Sequence, residues 1–197
     1  MSVIERIRDE RVVAILRQVP DVDRRIDGLA AAGIGVVEIT LDAPDALAAI
    51  ERTRARGDVS VLAGTVRRPE QVDAAAAAGA EAIVSPGFSE GVVLRARELG
   101  LPAIPGAFTP TEIEAAWTAG AALVKLFPAR LGGPQYVRDI LAPLADVALL
   151  VTGGIDADNA RAYLEAGAVA VGLGSSLVDP GQARRLVQQV SETFKSL

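Results

Sequence analysis

Short apolar runs alternate with amphipathic stretches along the whole chain, and this alternation restricts the possible folds more than any other feature. The runs cover 12–16, 36–41, 59–64, 82–85, 103–105, 123–127, 148–152 and 169–172, and read as buried strands. Helical stretches lie between them at 22–32, 45–56, 69–78, 91–99, 110–119, 134–141, 157–166 and 182–194, with a further helix at 2–10. The period is about 22 residues, a structural βα repeat rather than a solenoid signature. Eight such units predict an α/β fold, a (β/α)8 TIM barrel with an extra N-terminal helix, in a single domain over residues 1–197. A doubly wound open sheet is the alternative, but the G-x-G-x-x-G it would carry after the first strand is absent.

Local punctuation agrees with the repeat. Thr109-Pro110-Thr111-Glu112 places a threonine N-cap, a proline at the first helical position and a glutamate at the third, a capping box. Pro44, Pro69 and Pro134 also suit helix starts, and Asp42 suits a helix cap. Helices end in Ala-Gly at Gly33, Gly79, Gly120 and Gly167, where glycine can take a positive φ.

What the chain lacks limits its chemistry. It has no histidine and no cysteine, which removes imidazole acid–base catalysis, Ser-His-Asp triads, thiolate nucleophiles, disulfides and His- or Cys-based metal sites. The net charge of −5 gives no reason to expect nucleic acid or an anionic membrane as partner. No stretch is long and apolar enough to span a bilayer, and residues 1–11 are too charged for a signal peptide. A cytoplasmic protein is expected.

Lys125 lies in Leu123-Val124-Lys125-Leu126-Phe127-Pro128, one of the buried runs. Desolvation disfavours an ammonium among apolar side chains, and the same effect makes a lysine nucleophilic near neutral pH, as Schiff-base chemistry requires. A lysine that snorkels or pairs with a carboxylate is the competing reading. Strand parity turns Leu123, Lys125 and Phe127 inward together, and on the second strand it turns Glu38 and Thr40 inward. Glu38 and Lys125 then face one another from opposite walls with room for water or substrate between them. A purely structural ion pair remains open at this point. Arg17, ending strand one, and Thr65, after strand three, reach the C-terminal mouth, where they could hold a carboxylate. The glycine-rich turns Thr152-Gly153-Gly154 and Gly172-Leu173-Gly174-Ser175-Ser176 follow strands seven and eight, the usual phosphate site of such barrels.

In this order the motifs resemble those of the Schiff-base aldolases for 2-keto-3-deoxy-6-phosphogluconate (KDPG) and 4-hydroxy-2-oxoglutarate (KHG). They are Ala14-Ile15-Leu16-Arg17, Val37-Glu38-Ile39-Thr40-Leu41, Ala63-Gly64-Thr65-Val66, Ser85-Pro86-Gly87, Ile104-Pro105-Gly106, Lys125-Leu126-Phe127-Pro128 and Thr152-Gly153-Gly154. The resemblance runs from Ala14 to Ser175. It implies Lys125 as the Schiff-base lysine, Glu38 as general acid and base, and Thr65 with Arg17 on the pyruvyl carboxylate. It further implies Phe127 and Pro86 as pocket walls, and Gly153, Gly154, Gly174 and Ser175 as the phosphate site. Many members carry an arginine where this chain has Asp42; the Ala-x-Leu-Arg first strand matches a subgroup that includes enzymes for the galactonate epimer, KDPGal.

The resemblance implies a lyase that reversibly cleaves a 2-keto-4-hydroxy acid, first of all KDPG, to pyruvate and an aldehyde such as glyceraldehyde 3-phosphate, without metal or organic cofactor. It also implies a homotrimer acting in carbohydrate metabolism of the Entner–Doudoroff type. KHG or the galactonate epimer is the alternative substrate. A phosphate-binding barrel of another reaction class and an assembly scaffold are the rival functions.

Overall fold

The computed structural model describes residues 1–174 and 180–194. In chain order its elements are α1 (Val3–Glu10), β1 (Val12–Leu16), α2 (Val22–Ala31), β2 (Val36–Thr40), α3 (Ala46–Arg56), β3 (Ser60–Gly64), α4 (Pro69–Ala77), β4 (Ala82–Val84), α5 (Glu90–Glu98), β5 (Ala103–Ile104), β6 (Gly106–Ala107), α6 (Pro110–Thr118), β7 (Val124–Leu126), α7 (Gly133–Leu141), β8 (Leu149–Thr152), α8 (Ala160–Glu165), β9 (Ala170–Leu173) and α9 (Pro180–Phe194). Every residue of β2, β3, β7, β8 and β9 is buried, as expected of parallel strands covered on both faces.

The strands form one parallel sheet in the order β5-β4-β3-β2-β1-β9-β8-β7-β6. There are nine segments among the described residues where the sequence pattern predicted eight strands. The difference is Pro105, which has no N–H and splits one barrel stave into β5 and β6. That stave closes the barrel. On one side Ser85 donates its N–H to the Ile104 carbonyl (3.2 Å), and on the other Lys125 donates to the Pro105 carbonyl (2.9 Å) and Phe127 to that of Ala107 (3.0 Å).

Strand alternation divides the core in two. Val37, Ile39, Val61, Val124 and Leu149 point outward and pack under the helices. Val13, Val36, Leu62, Ile104, Leu123 and Leu150 point inward and fill the barrel together with Val3 and Ile7 of α1. The N-terminal helix therefore plugs the bottom of the barrel. Ser2 and Glu5 form its capping box. Glu10 ties its end to β2 by accepting the Gly35 N–H at 2.7 Å, and the Arg6 guanidinium reaches the Asp58 carbonyl at 3.1 Å.

The expected punctuation is present, with two exceptions. Thr109 and Glu112 cap each other's backbone, and Gly33, Gly79, Gly120 and Gly167 all adopt positive φ. The helix expected over 157–166 starts only at Ala160, because the Asp156 carboxylate accepts the N–H groups of Asp158 and Asn159 (both 3.0 Å) and holds that segment as a turn. Asp42 caps no helix. The N-cap of α3 is Asp45, three residues on. No described helix is long and apolar enough to cross a membrane.

Ile7 is fully buried in the barrel plug. Ile7→Ala is expected to lower unfolding free energy by about 2–5 kcal/mol, read by urea denaturation. A loss under about 1 kcal/mol would show that α1 does not share the barrel core.

Candidate active site

Above the apolar filling, toward the C-terminal ends of the strands, charged and polar side chains enter the barrel. Glu38 on β2, Lys125 on β7 and Thr152 on β8 share the inward parity of the apolar residues beneath them, and are 0%, 5% and 1% exposed. The Lys125 Nζ lies 3.3 Å from both Glu38 carboxylate oxygens. The sequence had suggested a gap between the two. In the structure both chains extend to the barrel axis and touch, so that each buried charge has its counter-charge in direct contact.

Room at this level comes from glycines with the same inward parity. Gly64 is paired with Thr40 in the ladder, and a Cβ there would collide with the Glu38 carboxylate. Gly172, paired with Thr152, leaves space for the Thr152 methyl group. Gly106, paired with Lys125, lets the Pro86 backbone pass over the lumen, because a Cβ would meet the Pro86 carbonyl.

At the rim, Arg17 and Thr65 meet as expected. The guanidinium donates to the Thr65 hydroxyl at 3.3 Å. The same guanidinium lies 3.7 Å from the Asp42 carboxylate, which is therefore its counter-ion. Thr65 has φ +60°, a conformation that a β-branched residue rarely adopts and that functional sites often hold. On the opposite wall the Phe127 ring is 37% exposed, with its centroid 5.9 Å from the Lys125 Nζ. It stands at the mouth and not inside the strand layer. Gly153 packs against the edge of that ring and Gly154 follows, both at positive φ. Gly174 closes the described part of the β9 loop, and Ser175 lies outside the described residues. No group of three His, Cys, Asp or Glu side chains that could hold a metal occurs among the described residues.

Sequence reasoning had counted Thr152 only as the start of a glycine turn. Its Oγ1 is buried and has no hydrogen-bond partner among the described residues. The inward Thr40 hydroxyl, by contrast, donates to the Leu16 carbonyl at 3.3 Å. A buried hydroxyl without a partner carries a desolvation cost that a bound ligand oxygen would relieve. The signal was available in the sequence, since Thr152 shares parity with Leu150 and Ala148 on the eighth strand segment.

A family model described as aldolase, KDPG and KHG aldolase, matches residues 3–191. The chain is 38% identical over 191 residues to the 2-dehydro-3-deoxy-6-phosphogalactonate aldolase of Escherichia coli strain K12, covering 94% of this chain and 93% of that one. A structure described as native KDPGal superposes with a TM-score of 0.89 at 33% identity, over 93% of this chain and 96% of the other. The KDPG aldolase of Legionella pneumophila, with pyruvate captured as a covalent carbinolamine intermediate, superposes with a TM-score of 0.79 at 27% identity, over 93% and 94% of the two chains.

The orphaned hydroxyl gives a test that separates a structural threonine from a ligand-facing one. Thr152→Val is expected to leave stability unchanged or raise it by up to about 1 kcal/mol, because it removes an unpaired polar atom at nearly constant shape. Chemical denaturation reads the difference. A loss above about 1 kcal/mol would mean that the hydroxyl is already bonded within the protein.

Proposed function

The chain belongs to the KDPG and KHG aldolase family, and from that premise we propose that it is a class I aldolase in which Lys125 forms the Schiff base and Glu38 moves the protons. The observation that carries the reading is the direct, buried contact between the Lys125 amine and the Glu38 carboxylate at the open end of the barrel. Relatives named for this activity support it.

The first step needs a neutral amine, and Glu38 is placed to take the ammonium proton across one contact. Nζ then attacks the C2 ketone of a 2-keto-4-hydroxy acid, and the carbinolamine hydroxyl leaves as water, protonated through Glu38. The iminium draws the electron pair of the C3–C4 bond toward nitrogen while Glu38 accepts the C4 hydroxyl proton, and the aldehyde departs. The enamine is protonated at C3 and hydrolysed to pyruvate, and each step is reversible. Arg17 and Thr65 hold the pyruvyl carboxylate, Pro86 and Phe127 wall the pocket, and Gly153, Gly154, Gly174 and Ser175 receive a phosphate. Thr152 offers its free hydroxyl to a substrate oxygen inside the barrel.

KDPG is the first substrate to test, with its galactonate epimer alongside, since the Escherichia coli relative is named for the latter. We read the chain as one catalytic domain that works as a homotrimer in the cytoplasm. The exposed apolar side chains of Leu131 (69%) and Phe127 beside the mouth suit a subunit contact.

The sequence contains two lysines, Lys125 and Lys195, so reductive trapping gives an unambiguous answer. Incubation with pyruvate and sodium borohydride is expected to add one reduced pyruvyl group to Lys125, located by intact mass and peptide mapping. Lys125→Ala should abolish adduct and turnover, and Glu38→Gln should lower kcat by about 100-fold or more. No adduct, an adduct on Lys195 alone, or near-normal activity in either variant would falsify the scheme.

A further inference from the structure

Two of the arginines at the mouth are in different electrostatic situations. Arg17 is engaged by Asp42 and Thr65. Arg130, in the single 3-10 turn Ala129–Leu131 that follows β7, has no hydrogen-bonding or ionic partner for its guanidinium among the described residues. Its backbone and stem are nevertheless anchored. Its backbone N–H donates to the Gly153 carbonyl at 3.0 Å, which ties the loop after β7 to the glycine turn after β8. Its side-chain stem lies flat on Gly154, where an added Cβ would fall 2.6 Å from the Arg130 Cβ and 2.9 Å from its Cδ. Gly154 at φ +84° thus both makes the turn and gives the arginine its seat.

The acids nearest in that loop are already occupied. The Asp156 carboxylate accepts two backbone N–H groups, and Asp158 pairs with Arg185 at 2.9 Å. In a chain of net charge −5, an exposed arginine without a counter-ion among the described residues therefore rises from a stem seated on the glycine turn after β8. A guanidinium matches the oxygens of a phosphate or a carboxylate through paired N–H donors.

We propose that Arg130 is the residue that recognises the terminal oxyanion of the aldehyde half of the substrate, and so selects 2-keto-4-hydroxy acids that end in a phosphate or a carboxylate over those that end in a neutral hydroxyl. This rests on the aldolase reading above. Arg17 holds one end of the substrate and Arg130 the other, with Lys125 and Glu38 between them.

The test is steady-state cleavage by the full chain and by Arg130→Ala, with Arg67→Ala, on the rim after β3, as a control for simple loss of positive charge. The substrates are KDPG, its non-phosphorylated counterpart, and 4-hydroxy-2-oxoglutarate. For Arg130→Ala, KM for the substrate with an anionic terminus is expected to rise about 10- to 100-fold. KM for the neutral-ended acid, and the yield of pyruvate–borohydride adduct on Lys125, should stay within about twofold of wild type. Whichever anionic substrate shows the rise identifies the anion as phosphate or carboxylate. Inorganic phosphate should inhibit wild type competitively and Arg130→Ala at least about tenfold more weakly if phosphate is that anion. An equal rise in KM for all three substrates, no rise for any, or the same pattern in Arg67→Ala overturns the assignment while the aldolase reading stands. Failure of wild type to form the Lys125 adduct overturns the aldolase reading, and the assignment falls with it.

Discussion

An ammonium and a carboxylate in contact at the centre of a hydrocarbon barrel impose conditions on everything around them. Removing either ion from water costs several kcal/mol, and the attraction between them offsets this only while they remain together. Lys125 and Glu38 meet this condition at 3.3 Å, with almost no exposure on either residue. A pair of well-packed apolar residues of similar volume would be at least as stable in that position. Stability therefore does not account for the pair. In the reaction proposed above, the pair serves to move a proton between two buried groups that stand over the apolar layers and the α1 plug.

The space above the pair is created by omitting side chains. Gly64, Gly106 and Gly172 each take a position where strand parity would send a side chain into the lumen. Each lies on a strand next to one that carries Glu38, Thr152 or Lys125: β3 beside β2, β9 beside β8, and β6 beside β7. The result is a hollow upper layer on a filled lower one, and the change from filled to hollow marks where structure gives way to chemistry. The Glu38 carboxylate occupies the volume that Gly64 leaves free, so even its orientation depends on a residue with no functional group.

Most of the architecture was legible in the sequence because it rests on local, periodic signals. The βα alternation, the Thr109–Glu112 capping box and the helix-ending glycines correspond to what the structure contains, and parity placed Glu38 and Lys125 inside correctly. What escaped depends on neighbours in space. Pro105 looked like the end of a strand, because the backbone resumes pairing only through the next stave. Asp42 looked like a cap, because its arginine partner is 25 residues away, just past the end of β1. Thr152 and Arg130 both lay beside glycines that drew attention to the turn and away from the side chains, a hydroxyl and a cation without partners among the described residues.

The helical plug at the base of the barrel makes the lumen a blind tunnel. In the proposed reaction, substrate and both products share one doorway, and a three-carbon unit bonded to Lys125 would sit deeper than the fragment cleaved from it. Geometry then dictates traffic: the aldehyde has to clear the mouth before water can reach C2 of the iminium, formed once the enamine is protonated at C3, and free the keto acid behind it. Run in reverse, the same dead end makes pyruvate the obligatory first arrival, since an aldehyde already at the mouth would bar its way to the lysine.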